Sequence, residues 1–168
     1  LARKGHSVTL FDAGHAPFCG ASRWNEGKIH LGFLYSADPT LDTARKVIPA
    51  GLMFKPLVEE LIGCRVDPAV TRDDDIFLCH RDSVVSAQAM EAYFHEVAQL
   101  VAGNPRAGRY LADVSRCRVE RLNGQQLGAI TDSAAIVAGF RIPERSVSTN
   151  WLADRFVDAM AAERHIEP

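Results

Sequence analysis

The chain has 168 residues, of which 47% are hydrophobic and 24% are charged, a composition typical of a folded globular protein rather than a disordered one. Its net charge of -2 gives no reason to expect nucleic acid or an anionic membrane surface as a partner. No apolar run approaches the ~18 residues of a membrane span, and there is no signal-peptide pattern. The four cysteines form no C-x-x-C pair. Together these features favour a cytoplasmic protein with reduced thiols and no bound metal.

The opening residues predict the last turn of a helix followed by a strand. Residues 1–5, LARKG, place two basic residues before a glycine, as at a helix C-terminus. The run His6–Phe11 is rich in β-forming residues and ends at Asp12, before the turn pair Ala13-Gly14. In a dinucleotide-binding unit, the carboxylate at the end of the second strand accepts hydrogen bonds from ribose hydroxyls. Asp12 fits that role, although an acidic residue that merely starts a surface turn has the same pattern.

The glycine-rich phosphate turn of such a unit is not found ahead of Asp12. That turn normally precedes the acidic residue by ~20 residues, whereas only residues 1–11 precede Asp12. We therefore expect the chain to be an internal piece of a longer protein.

Further along the chain, apolar periodicity and turn residues predict alternating helices and strands. Asp38 is the predicted N-cap of a helix. Pro49 and Gly51 interrupt its helical spacing and Pro56 restarts it, which predicts two helical pieces with a kink, the second ending at Gly63. The other predictions are a strand over 76–79, a helix over 84–101 with a core-facing apolar stripe, a half-exposed strand over 117–122, a short helix over 125–130, a strand over 134–142 and a last helix that Thr149 or Asn150 caps and that runs to about 164.

One loop carries a family resemblance. Residues 21–27 read A-S-R-W-N-E-G and residues 28–32 read K-I-H-L-G, directly before Phe33-Leu34-Tyr35. Together with RKGHSVTLFDAG, this segment resembles the FAD-dependent oxidoreductases of the D-amino-acid oxidase superfamily, which carry an A-S-x-x-N-x-G loop. The second part is similar to the N-S-G-V-I-H-x-G-I-Y-Y segment of the L-2-hydroxyglutarate oxidase branch. The resemblance covers roughly residues 1–47, with a looser echo at 144–156.

This resemblance implies a mixed α/β, or α+β, fold in two parts. Residues 1–34 and 146–168 would form a partial Rossmann-like FAD-binding domain, and residues 35–145 an inserted sheet-and-helix substrate domain. In the family a further strand follows the last helix. Here that helix runs almost to Pro168, which we interpret as a second sign of truncation. The implied activity is oxidation of a small amino acid or 2-hydroxy acid by hydride transfer to FAD, and the oligomeric state is left open. Because the phosphate turn is missing, we expect the isolated 168 residues to be inactive.

The implied cofactor contacts lie mainly in the loop. Small residues at Ser22 and Gly27 let backbone approach a ligand closely, and the Ser22 hydroxyl can donate to a phosphate oxygen. The Arg23 guanidinium matches a pyrophosphate, and Asn25 offers a donor and an acceptor to the edge of a flavin. An exposed polar turn is the alternative interpretation. The full implied set is Asp12, Ala13, Ala21, Ser22, Arg23, Asn25, Gly27 and Lys28.

Two residues depart from the family pattern. Trp24 stands where some members carry a histidine that attaches the flavin covalently, so the resemblance implies non-covalent binding. Lys28 replaces a small apolar residue, which leaves the packing on the flavin side open.

His30 is the candidate catalytic base. A histidine near flavin and substrate can remove the hydroxyl proton as hydride leaves the carbon. This role comes from the resemblance, since a histidine in an apolar I-H-L segment is also compatible with a hydrogen-bonded structural residue. Tyr35 is a second candidate, as a phenol that faces the substrate.

Two other classes of protein stay open. A nicotinamide-dependent Rossmann enzyme would share Asp12 but would have no use for the A-S-x-x-N-x-G loop. A truncated, non-catalytic nucleotide-binding or interaction domain would explain the unexceptional charge pattern, and it predicts no bound flavin.

Overall fold

A computed structural model describes residues 1–11, 13–14 and 16–167, and the described residues form a mixed α/β chain with four α-helices. Asp12, on which the ribose-binding prediction falls, lies outside them. At this coarse level the predicted mixture of helices and strands is confirmed. No helix in the described part of the chain combines the length and apolarity needed to cross a membrane. In chain order the elements are β1 (Val8–Thr9), β2 (Lys28–Ile29), α1 (Asp42–Ile62), β3 (Asp75–His80), α2 (Ala87–Ala102), β4 (Glu120–Arg121), α3 (Gly124–Gly128), β5 (Ile136–Ile142), β6 (Arg145–Ser146), α4 (Thr149–Ala161) and β7 (Ile166–Glu167).

The chain divides into two compact units. The first consists of Leu1–Gly27, Pro56–Thr71 and Ser146–Pro168, and the second of Lys28–Lys55 and Arg72–Arg145. These units are defined by contacts, whereas the predicted FAD-binding and substrate domains are defined by function and stay a prediction.

The core of the second unit lies between a three-stranded antiparallel sheet, in the order β3-β5-β4, and α2. Phe77 and Phe140 face each other across β3 and β5. Their rings lie 5.2 and 5.4 Å from that of Phe94 on α2, and the ring of Phe33 lies 5.8 Å from it. Edge-to-face pairs of this kind add about 0.5–1.5 kcal/mol each beyond burial. The core role predicted for the apolar stripe of α2 is confirmed, since Met90, Tyr93, Phe94, Val97 and Val101 are buried.

The predicted break in the first long helix is wrong, because α1 runs without interruption from Asp42 to Ile62. A proline in a helix interior removes a hydrogen bond and costs about 3 kcal/mol. Burial of Ala44, Ile48 and Leu52 on one face offsets that cost. The predicted stop at Gly63 is confirmed by its left-handed φ of 71°.

Asp38 supports the start of α1 from four residues upstream and is not the residue that directly precedes the helix. Its carboxylate accepts hydrogen bonds from the Thr40 hydroxyl at 2.6 Å and from the Thr43 N–H at 2.9 Å. Hydrogen bonds from Thr40 and Thr43 hold the pKa of Asp38 well below its usual value. The side chain therefore satisfies one of the unpaired donors of the first turn.

The first unit contains a short parallel strand pair. Val8 of β1 is paired with Ile166 of β7, which directly follows α4. The predicted opening strand over His6–Phe11 is reduced to β1, and Phe11 is 94% exposed. The last helix ends at Ala161 rather than near 164, and the strand β7, which the sequence had not predicted, follows at Ile166–Glu167. The interpretation that this helix runs almost to Pro168 with no strand after it is therefore wrong. Parallel strands require a crossover connection, and α4 lies directly before the second strand of this pair.

Side chains cap two other helices, of which α2 begins at Ala87 rather than at the predicted residue 84. Ser86 caps α2 by accepting the Ala89 N–H at 3.2 Å. Asn123 and Gln126 form a capping box at α3. The cap of α4, in contrast, is Ser148 rather than Thr149 or Asn150. The strand predicted over 117–122 is present only as β4.

Candidate functional site

The loop over residues 20–27, in the first unit, is closed by its own asparagine. The Asn25 side-chain nitrogen donates to the Ala21 carbonyl at 2.8 Å, and its oxygen accepts the Gly27 N–H at 2.8 Å. Such local bonds are typical of asparagine in turns. In this structure the donor and acceptor that the sequence assigned to a flavin edge therefore shape the loop itself.

Arg23 and Thr149 attach the loop to the first turns of α4. The Thr149 hydroxyl donates to the Arg23 carbonyl at 2.7 Å, whereas the neighbouring Ser148 caps the helix by accepting the Trp151 N–H. The Arg23 guanidinium pairs with Asp154 at 2.8 Å and donates to the Phe18 carbonyl at 3.2 Å. Its charge thus has a partner within the first unit.

Gly27 is required by the chain's own backbone. Its φ of 65° lies in the left-handed region, and a Cβ at this position would meet the Val147 carbonyl oxygen at 2.0 Å. The Gly27 carbonyl in turn accepts the Val147 N–H at 3.0 Å. The close approach that the sequence assigned to a ligand is made here by residue 147.

The remaining predicted cofactor residues do not share a common set of contacts. Ala13, Ala21 and Ser22 are exposed. Lys28 belongs to the second unit, where its ammonium is paired with the half-buried Asp75 carboxylate. This ion pair accounts for a lysine at a position where the family pattern has a small apolar residue.

A histidine–carboxylate pair lies in the second unit. The Nδ1 atom of His30 is 3.2 Å from Oε2 of Glu144, and Oε1 of the same carboxylate accepts the Leu31 N–H at 2.6 Å. Glu144 is 1% exposed, and among the described residues it is the only charged residue that is buried. The His30 side chain is 27% exposed. A carboxylate that holds one ring nitrogen of a partly exposed imidazole is an arrangement suited to proton transfer.

Two tyrosines hold the backbone on both sides of His30. The Tyr110 hydroxyl donates to the Ile29 carbonyl at 2.6 Å and accepts the Arg145 N–H at 2.9 Å. The Tyr93 hydroxyl donates to the Gly32 carbonyl at 3.0 Å. Burial raises the pKa of Tyr110 strongly and raises that of Tyr93 to about 12. Both phenols therefore keep their protons, and these hydrogen bonds, throughout the neutral pH range.

The segment from His30 to Gly32 also packs closely on α1. A Cβ at Gly51 would meet the His30 carbonyl oxygen at 2.4 Å, and a Cβ at Gly32 would meet the Ala44 Cβ at 2.8 Å. These two glycines let the strand end and the helix approach each other more closely than any other residue would allow. The main chain of His30 is thus fixed by α1 and by its hydrogen-bonded neighbours.

Replacing Gly51 with alanine is expected to lower the free energy of unfolding by about 1–3 kcal/mol, the usual cost of overpacking. Helix propensity alone predicts the opposite sign, a gain of about 0.5–1 kcal/mol. Urea unfolding followed by circular dichroism measures the difference. Gly128→Ala in α3, where a Cβ meets nothing within 4 Å, is the matched control and should not destabilise the chain. Equal effects of the two substitutions would contradict the contact with His30.

Tyr35 lies in the single helical turn Phe33–Tyr35 and is half-buried. The pKa of Tyr93 is raised first by burial, then by Asp38, and to a smaller extent by Tyr35 and Glu144. Tyr35 therefore belongs to the surroundings of Tyr93 in the second unit.

The structure brings His30 together with a residue that sequence reasoning missed. In the sequence, Glu144 stands out only as the first residue of the looser family echo over 144–156. The signal that pointed to it is an acidic residue, followed by Arg145, in the short segment between the apolar strand over 136–142 and the capped helix that starts at Thr149. A charge at the end of a buried strand needs a partner, and here the partner is His30.

The first unit also contains an apolar cavity of about 350 Å3. It lies between the helical turn at residues 2–4, the parallel strand pair and α4, and none of the predicted site residues lines it. Among its lining side chains are Leu1, Val8, Leu61, Phe156, Met160 and Ile166. Among the described residues, no group of three or more His, Cys, Asp or Glu side chains is arranged to bind a metal ion.

Comparison of the chain with protein-family models, with curated protein sequences and with solved structures gives no match.

Proposed function

We propose that this chain is part of an FAD-dependent oxidoreductase that oxidises a small amino acid or 2-hydroxy acid, with His30 as the base. The observation that carries the proposal is the contact between His30 Nδ1 and the buried Glu144 carboxylate at 3.2 Å. A base needs a defined ring orientation and a route to the substrate, and the pair supplies the first while the 27% exposure of His30 supplies the second.

The first unit fits FAD in part. A parallel strand pair preceded by a helix is the kind of element from which a nucleotide-binding sheet is built, and the loop that resembles the family is fixed at the start of α4. Arg23 and Asn25 have partners within the first unit, and Lys28 is paired with Asp75 in the second. The residues left to contact the cofactor are Asp12, the exposed Ala13, Ala21 and Ser22, and the loop backbone.

The proposed chemistry divides simply between cofactor and protein. When bound, FAD supplies the hydride acceptor. His30 takes the proton from the hydroxyl or amino group of the substrate, so that the O–H or N–H electron pair can form the new double bond to carbon. Tyr93, Tyr110 and the glycine contacts with α1 keep the His30 backbone in place during that transfer. Tyr35 is the second side chain that we propose to face the substrate.

Titration with FAD of the full-length protein that contains this chain tests the cofactor assignment. We expect the visible absorbance of FAD to shift and its fluorescence to be quenched on binding, and we expect Ser22→Glu to weaken binding because it adds a negative charge where a phosphate is proposed to lie. Ser115→Glu, at another exposed serine, is the matched control and should bind FAD like the wild type. If the wild-type full-length protein leaves FAD unchanged, the proposal is wrong, and a non-catalytic domain is the better hypothesis.

A further inference from the structure

We propose that Glu144 is a positioning residue that holds the neutral His30 ring in the tautomer protonated at Nδ1. The tautomer itself is a property of the chain alone, and only its use in catalysis rests on the proposed function.

The argument begins with the proton count at the carboxylate. An ionised carboxylate can only accept hydrogen bonds. Oε1 of Glu144 accepts the Leu31 N–H at 2.6 Å, a short contact of the kind that charged acceptors make. Oε2 lies 3.2 Å from His30 Nδ1, so the proton of that hydrogen bond has to come from the imidazole. With Nδ1 protonated, the lone pair of the neutral ring is on Nε2.

Burial makes this preference strong. Placing the opposite tautomer against Glu144 would set a lone pair against a carboxylate oxygen that is 1% exposed. In a buried setting an unmatched polar contact of this kind is expected to shift the tautomer ratio by roughly 5- to 150-fold. The pair therefore selects one tautomer rather than merely favouring it slightly.

The carboxylate also couples the ring to the backbone. The same carboxylate group that binds the His30 ring binds the N–H of the next residue, Leu31, which is fully buried. The His30 carbonyl is packed against Gly51 of α1. One buried carboxylate thus positions both the His30 ring and the neighbouring main chain. A purely structural hydrogen bond to the Leu31 N–H would not require a carboxylate, because a neutral amide oxygen could accept it.

A second histidine in the chain offers a comparison. His165 Nδ1 also lies 3.2 Å from a carboxylate oxygen, that of Glu163, but these two side chains are 30% and 20% exposed and are two residues apart. Water can replace a partner there, so this pair should restrain its ring much less.

Proton–nitrogen correlation spectra of the histidine rings test the proposal directly in the full chain. At alkaline pH, where imidazole is neutral, we expect His30 to carry its proton on Nδ1, with its signals identified by their loss in His30→Gln. Glu144→Gln should move the His30 signals toward a mixture of both tautomers, whereas Glu163→Gln should leave them unchanged. An Nε2-protonated His30 in the wild type, or unchanged His30 signals in folded Glu144→Gln, would overturn the proposal.

The two hypotheses fail separately. Should Glu144→Gln not fold, the wild-type tautomer alone still decides the question. A confirmed tautomer in a chain that does not bind FAD would leave the positioning role standing and remove the oxidase proposal. If both hold, Glu144→Gln should slow flavin reduction while leaving FAD affinity unchanged, since Glu144 is not among the residues proposed to contact the cofactor.

Discussion

Flavin reduction by the substrate is expected to slow by about 10²–10⁴-fold when His30 is replaced with glutamine, the usual contribution of a general base. Glutamine is chosen because its amide can still donate a hydrogen bond to Glu144 but cannot accept a proton at neutral pH. The measurement is single-turnover bleaching of the flavin with a panel of amino acids and hydroxy acids. FAD affinity should stay unchanged, since the substitution removes a base and not a cofactor contact.

The matched control is His95→Gln. His95 is an exposed histidine on α2 in the same unit, and it has no part in the proposed site. Its replacement should leave both the bleaching rate and FAD affinity at wild-type values. Bleaching that is equally fast in wild type and His30→Gln would remove the base assignment, even if FAD binding itself were established.

Local signals in the sequence predicted the parts of the fold that depend on local physics. The apolar stripe of α2 and the glycine stop of α1 follow from periodicity and from backbone conformation within a few residues. The uninterrupted α1 did not follow, because the cost of Pro49 and Pro56 is offset by tertiary burial of residues such as Ile48 and Leu52, which local sequence signals do not report. The strand predicted over His6–Phe11 was too long, and Phe11, an apolar residue at its end, is 94% exposed.

The candidate site shows the same division more clearly. Asn25 closes its loop through partners four and two residues away, so asparagine chemistry alone could have indicated a self-contained turn. The partner of His30, in contrast, lies 114 residues further along the chain. Neither spacing nor composition connects two such positions in a single sequence, and only the fold brings them together.

Gly27→Ala is expected to destabilise the first unit by about 2–5 kcal/mol, the sum of a left-handed backbone cost of about 1–2 and an overpacking cost of about 1–3. The new Cβ would lie 2.0 Å from the Val147 carbonyl oxygen, and backbone cannot move aside as a flexible side chain can. Urea unfolding followed by tryptophan fluorescence measures this unit specifically, because Trp24 and Trp151 both belong to it.

Two other glycines of the same unit separate the causes. Gly20 does not have a left-handed φ, and a Cβ at this position would meet nothing within 4 Å. Gly20→Ala should therefore change the free energy of unfolding by less than about 0.5 kcal/mol. Gly5→Ala has a φ of 83° and nothing within 4 Å, so it should show the backbone cost alone, about 1–2 kcal/mol. An effect of Gly27→Ala no larger than that of Gly5→Ala would mean that the loop can move away from Val147. In that case the glycine would again be explained better by the approach of a ligand than by the approach of the chain's own backbone.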